Sequence, residues 1–115
     1  MIKIYNKLGE VLLALDLDSF EGICLQNAWL ENADFRDMKM KMANLSGANL
    51  SGADFTGVNL SGANLSGANL SGANCAFVNF HGAKLARANF TGANLSGADL
   101  SGANLSGAIA IRRYF

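Results

Sequence analysis

A period of five residues governs most of this chain. Between Ala43 and Gly107 the sequence repeats Ala-Asn-Leu-Ser-Gly with few substitutions, and twelve of its thirteen glycines occupy one phase of the period, leaving Gly9 alone out of register. Two other phases are apolar. The larger runs Phe20, Leu25, Leu30, Phe35, Met40, Leu45 and onward through Cys75, Phe80 and Phe90 to Leu105. The smaller, two residues earlier, runs Ile23, Ala28, Ala33, Met38, Ala43 and onward to Ala103. An α-helix cannot use this pattern, because five residues rotate it by about 140° and scatter the leucines around the cylinder. A flat strand cannot use it either, since an odd period sends successive leucines to opposite faces. The chain must turn after every pentad, and glycine supplies the positive φ that many tight turns demand.

A pentad that forms one side of a square turns every leucine inward and closes a coil in about 20 residues, with alanine fitted where the interior is crowded. The pentads centred from Phe20 to Leu105 then make about 4.5 coils, stacked by backbone hydrogen bonds into a rod of roughly 22 Å. The expected class is all-β, a quadrilateral β-helix. Residues twenty apart share a column, so Lys41, Ser61 and His81 stack, and Asp37 lies two coils below Phe77.

The run Ala-Asn-Leu-Ser-Gly-Ala-Asn-Leu-Ser-Gly-Ala-Asp-Phe at residues 43–55 resembles the A-(N/D)-L-x-x signature of the pentapeptide-repeat proteins. The resemblance covers about residues 18–108 and implies the right-handed form of the quadrilateral β-helix. The handedness comes from the resemblance and not from the period.

The ends depart from the pattern, which divides the chain into residues 1–17, 18–108 and 109–115. Ile2 to Tyr5 and Glu10 to Ala14 flank a Gly-containing turn and read as a β-hairpin, a cap over strand edges that the first coil would otherwise expose. Trp29 sits in an outward phase and is expected to pack under this cap. At the other end Ala110 is too small for the leucine position, and Ile109, Ile111, Tyr114 and Phe115 either fold over the last coil or meet a second copy. An uncapped apolar end suits an isologous interface, and several proteins of the resembled family dimerise there.

Composition restricts the chemistry. Nine basic residues balance nine acidic ones in 115, so the net charge names no nucleic acid partner. The longest aliphatic run, Val11 to Leu15, is far too short to span a bilayer, and the N-terminus lacks the features of a signal peptide; the expected location is the cytoplasm. Cys24 and Cys75 have no metal-ligand spacing, Cys75 reads as a small core hydrophobe, and no cofactor motif is present. Glycines spaced by five do not form a phosphate loop. His81 is the only histidine. Its column neighbours are serines, which recur in nearly every pentad, so a catalytic triad has no orienting acid. The Asn/Asp phase is accounted for by turn-making and stacked amides. A non-enzymatic protein is expected.

Function then lies where the period fails. Arg36 to Met42 keeps Met38 and Met40 inward and sets Lys39, Lys41 and Met42 outward. Cys75 to Arg87 presents Phe77, His81, Lys84 and Arg87 as the chemically varied patch on a Ser-Gly-Asn surface, a reasonable anchor for an unidentified protein partner. Family members that protect DNA gyrase by imitating duplex DNA offer an alternative. A DNA mimic needs dense negative potential, and residues 43–108 carry only Asp54, Lys84, Arg87 and Asp99 as charges. Ice binding through a flat threonine array fails on Thr56 and Thr91, which lie on different faces.

Overall fold

The computed structural model describes residues 1–110. The chain opens with an antiparallel hairpin, β1 (Ile2–Asn6) and β2 (Val11–Leu15), followed by a coiled ladder in which only Ala33–Asp34 is long enough to count as a strand, β3. The rest is single parallel bridges between residues twenty apart, from Cys24 with Asn44 to Asn89 with Ile109. Four pentads therefore close one coil. Most make the same three bonds to their neighbours: Leu45 N–H donates to Asn64 O (2.7 Å), Gly47 N–H to Ser66 O (2.9 Å), and Asn64 N–H to Ala43 O (2.9 Å). The molecule measures 36 × 25 × 23 Å, with two nearly equal short axes as a square rod requires.

Every corner is closed by a bond of the kind Ala48 N–H to Leu45 O, 3.1 Å. The residue in the glycine phase holds φ between +58 and +71° along the rod, which fits the third position of a type II turn. The Asn phase stabilises the same corner. Asn44 Oδ1 accepts the Ser46 N–H (3.0 Å) and the Ser46 hydroxyl (2.7 Å), and the pattern recurs at Asp54 with Thr56, Asn89 with Thr91 and Asn104 with Ser106. The expected amide stacks are replaced by these local bonds: no Asn side chain bonds another among the described residues, because each carbonyl oxygen is held by its own turn.

The interior is filled by the large apolar phase, buried from Leu25 through Leu95, with alanines beside it. Phe35 and Phe55, one coil apart, stack face to face at 4.7 Å and 9°. Phe80 and Phe90, half a coil apart, meet edge to face at 6.1 Å across the rod. An interior narrow enough for opposite sides to touch leaves room for alanine, not leucine, at the smaller phase. Cys75 is buried among these side chains, and that burial, with a smaller contribution from the Asp54 charge, pushes its thiol from 9.0 up to about 12. A thiol reagent is expected to titrate Cys24 alone in the folded chain and both cysteines after unfolding. Because the folded-state value is raised, the Cys75 contribution to stability is intact below pH 9 and is lost as pH rises toward 12, by up to about 1.4 kcal/mol per pH unit. Denaturation of Cys75→Val across that range should show a shallower decline than the parent.

The hairpin closes the first coil by strand pairing. β1 lies between β2 and β3, with Tyr5 opposite Asp34 and Asn6 opposite Ala33, and Lys7 N–H reaches Asn32 O (3.0 Å). Its loop is organised by Asn6, whose Oδ1 accepts the N–H groups of Leu8 and Glu10, each at 2.9 Å, while Gly9 takes φ +82°. Ile4 is fully buried, and Ile2, Leu13 and Leu15 pack on the core. These four fill the space beneath the hairpin, and Trp29 does not share it. Trp29 is 79% exposed, because its phase points away from the coil and the hairpin pairs with the next side instead. The expectation that it packs under the cap is overturned.

Candidate interaction surface

Phe77, Arg87 and Met42 stand in the glycine phase and take the glycine conformation, at φ 61, 59 and 63°; Asn27, Asn32 and Asp37 do the same. The left-handed region costs an L-residue roughly 1–2 kcal/mol, and Asn and Asp bear it best. Phe, Arg and Met have no such excuse. The strain went unrecognised in the sequence, although the signal was there: any residue occupying that phase must adopt that φ.

The side chains of these residues lie over the glycine one coil further on. A Cβ placed on Gly97 would come 2.6 Å from Phe77 Cδ1, one on Gly107 would come 3.2 Å from Arg87 Cγ, and one on Gly62 would overlap Met42 Sδ. Each of the six is followed by glycine twenty residues later. The ring of Phe77 nevertheless stays 69% exposed, and Met42 60%.

The four residues Phe77, His81, Lys84 and Arg87 do not converge. Phe77, His81 and Arg87 each belong to a corner turn, and Lys84 sits mid-side, bridged to Asn64 and Asn104. A pentad advances the chain by one side, so Phe77 and Arg87, ten residues apart, occupy opposite corners of one coil. His81 and Lys84 lie between them around the rod. A flat partner can meet Phe77 with His81, or Lys84 with Arg87, but not all four.

His81 has the partner expected from its column, and that partner in turn reaches an acid. His81 Nδ1 lies 2.9 Å from Ser101 Oγ, and the Ser101 hydroxyl donates to Asp99 Oδ1 at 2.6 Å. Since that hydroxyl has one proton, His81 Nδ1–H is the donor to Ser101. Asp99, holding both the Ser101 hydroxyl and its N–H (2.9 Å), has its carboxyl lowered below the usual range. The three residue types of a hydrolase triad are thus in contact in the wrong order, because the serine proton is directed to the carboxylate and not to imidazole. Asp99 was missed because it reaches the column through the two-residue reach of the Asx turn. Elsewhere Arg36 forks onto Asp34 through Nε (2.9 Å) and Nη2 (2.8 Å) and approaches Asp54 at 3.8 Å. The Arg36 bond lowers the Asp34 carboxyl and raises the guanidinium. Among the described residues no group of three His, Cys, Asp or Glu side chains forms a metal cluster.

Of the C-terminal residues considered for self-association, Ile109 remains in the ladder. It pairs with Asn89 and occupies the outward column, exposed like Leu105. Ile111, Tyr114 and Phe115 lie outside the described residues.

The sequence matches the Pentapeptide repeats family in eight copies, over residues 19–57, 40–72 and 73–109. The chain belongs to that family, and its rod is the right-handed quadrilateral β-helix of it. It is similar to a pentapeptide repeat protein of the Arabidopsis thaliana thylakoid lumen, at 32% identity and a TM-score of 0.76, over 82% of this chain and 68% of that one. It also matches Rfr23 of the cyanobacterium Cyanothece 51142 (34% identity, TM-score 0.48, 77% of this chain and 60% of that). A third match is HetL of Nostoc sp. strain PCC 7120, a protein involved in heterocyst differentiation regulation (34% identity, TM-score 0.41, 76% and 48%). The chain thus spans less than two thirds of the last two. No curated protein matches it significantly.

Proposed function

We propose that this chain is a non-enzymatic scaffold that binds a protein partner through the lateral surface of the rod, with Phe77 as the anchor. The supporting observation is the conformation of Phe77: a large aromatic residue at φ 61° that stays 69% exposed, in a phase where glycine stands at most pentads. Strain held at a solvent-facing side chain points to use rather than to folding, and exposed aromatics supply much of the energy of protein contacts. His81, on the next corner, shares the adjoining side with it.

Phe77→Gly tests this without endangering the fold. Relief of the left-handed strain offsets the extra chain entropy of glycine, so stability should hold or rise by up to about 1 kcal/mol. Affinity capture with Phe77→Gly should then lose a partner that the parent and Arg87→Gly, on the opposite corner, both retain. An identical set of partners for the parent and Phe77→Gly would remove Phe77 as the anchor.

A further inference from the structure

The hairpin that closes the first coil leaves an open edge of its own. β2 is the outer strand of the order β2-β1-β3, and Val11–Leu15 make no backbone hydrogen bond to described residues outside their pairing with β1. Edge strands are ordinarily guarded by proline, lysine, a bulge or a covering segment. The chain has no proline, and Val-Leu-Leu-Ala-Leu carries no charge. One bulge exists, at the turn-proximal end: Ile4 faces Leu13 and Tyr5 faces Val11, leaving Leu12 as the extra residue. Beyond it the ladder is regular, with Leu13, Ala14 and Leu15 opposite Ile4, Lys3 and Ile2.

This regular stretch has a two-sided character. Leu13 and Leu15 face the core and are only partly covered, while Ala14 between them faces solvent. Past the strand the sequence continues to alternate acid with leucine, as Asp16-Leu17-Asp18, and Leu17 is 44% exposed. A strand laid along this edge would complete the cover of Leu13 and Leu15 with its own apolar residues and meet Asp16 and Asp18 with its polar ones. A second copy of β2 does not suit. Antiparallel self-pairing centred on Ala14 would set Glu10 against Asp18 and Asp16 against the bulged Leu12, placing like charges at both ends.

We propose that the free edge of β2, from Leu13 to Leu15, docks an extended segment of another protein by strand addition, and that this segment alternates apolar with basic residues. Backbone bonds along the open edge supply the affinity, and the acidic flank of Asp16 and Asp18 selects the partner's charge. This site is separate from the Phe77 corner and does not depend on it.

The probes are three synthetic peptides: one alternating valine with lysine, one alternating valine with glutamate, and the lysine peptide with alternate backbone amides methylated. Binding is read by chemical shift and by amide exchange across the chain. The lysine peptide should shift β2 and slow exchange of its outward amides, binding about tenfold tighter than the glutamate peptide. The methylated peptide should lose most of this binding. Asp16→Lys with Asp18→Lys, both in an exposed segment, should reverse the preference, and melting of that variant confirms its fold. Unshifted β2 amides, or equal binding by the methylated peptide, would overturn strand addition. Equal binding of lysine and glutamate peptides would overturn the basic partner. β2 shifts that follow protein concentration alone would replace the partner with a second copy.

Discussion

Phe55→Ala is expected to cost about 3–5 kcal/mol of stability, the range for removing a fully buried phenylalanine. Phe55 is wholly inaccessible and stacks on Phe35 at 4.7 Å, and its column continues into Cys75, too small to move into the space. The cavity would therefore persist between coils. In a solenoid each repeat is stabilised mainly by its neighbours, so a cavity in the middle weakens the coils on both sides. Leu95→Ala, toward the C-terminal end of the rod where cover is thinner, should cost less, about 2 kcal/mol at the lower end of such substitutions. Denaturant unfolding of both variants checks the order. Equal losses would mean that the interior does not relax from the middle toward the C-terminal end as its burial indicates.

Gly97→Ala is expected to cost about 2–4 kcal/mol, and most of the excess should vanish when Phe77 is also changed. Two terms add. Alanine at φ +69° carries the left-handed cost of roughly 1–2 kcal/mol. Its Cβ would also lie 2.6 and 2.7 Å from two atoms of the Phe77 ring, which must be displaced at a further 1 to 2 kcal/mol or so. In a Phe77→Gly background only the first term remains. A double-mutant cycle should therefore give a coupling of about 1–2 kcal/mol between residues twenty apart in sequence. Additivity of the two changes would show that the ring does not lie on Gly97. The same substitution at Gly72, where an added Cβ meets nothing within 4 Å, should show the conformational cost alone.

Much of this architecture was readable because one rule repeats. The leucine phase identified the core, the glycine phase identified the corners, and division by twenty identified the columns, including Ser101 above His81. Trp29 shows where reading failed. Its phase pointed outward and its size suggested burial, and the phase prevailed, since backbone position in a solenoid fixes direction before side-chain preference acts. Phe77 to Arg87 was read as one patch because ten residues look close in sequence, whereas ten residues carry this chain halfway around the rod. The left-handed backbone at Phe77, Arg87 and Met42 was hidden for a different reason. Residue type argued against it, and the phase overrode residue type, as the coil hydrogen bonds of Phe77 N–H to Ser96 O (2.9 Å) and Arg87 N–H to Ser106 O (2.8 Å) hold it there. The free edge of β2 lay beyond reach of any periodicity, because it follows from which strand β3 pairs with.

The twenty-residue register underlies every placement above, and engineered disulfides measure it directly. Gly67 N–H bonds Ala86 O at 2.9 Å, so Ser66 and Ala86 sit side by side on neighbouring coils. Strands so paired lie about 4.8 Å apart, within the Cα separation that a disulfide tolerates. In a Cys24→Ser background, Ser66→Cys with Ala86→Cys should oxidise readily and leave the fold intact. Ser66→Cys with Thr91→Cys, which adds one more side of the coil, should remain reduced. Cross-linking of the second pair in place of the first would contradict a coil of four pentads.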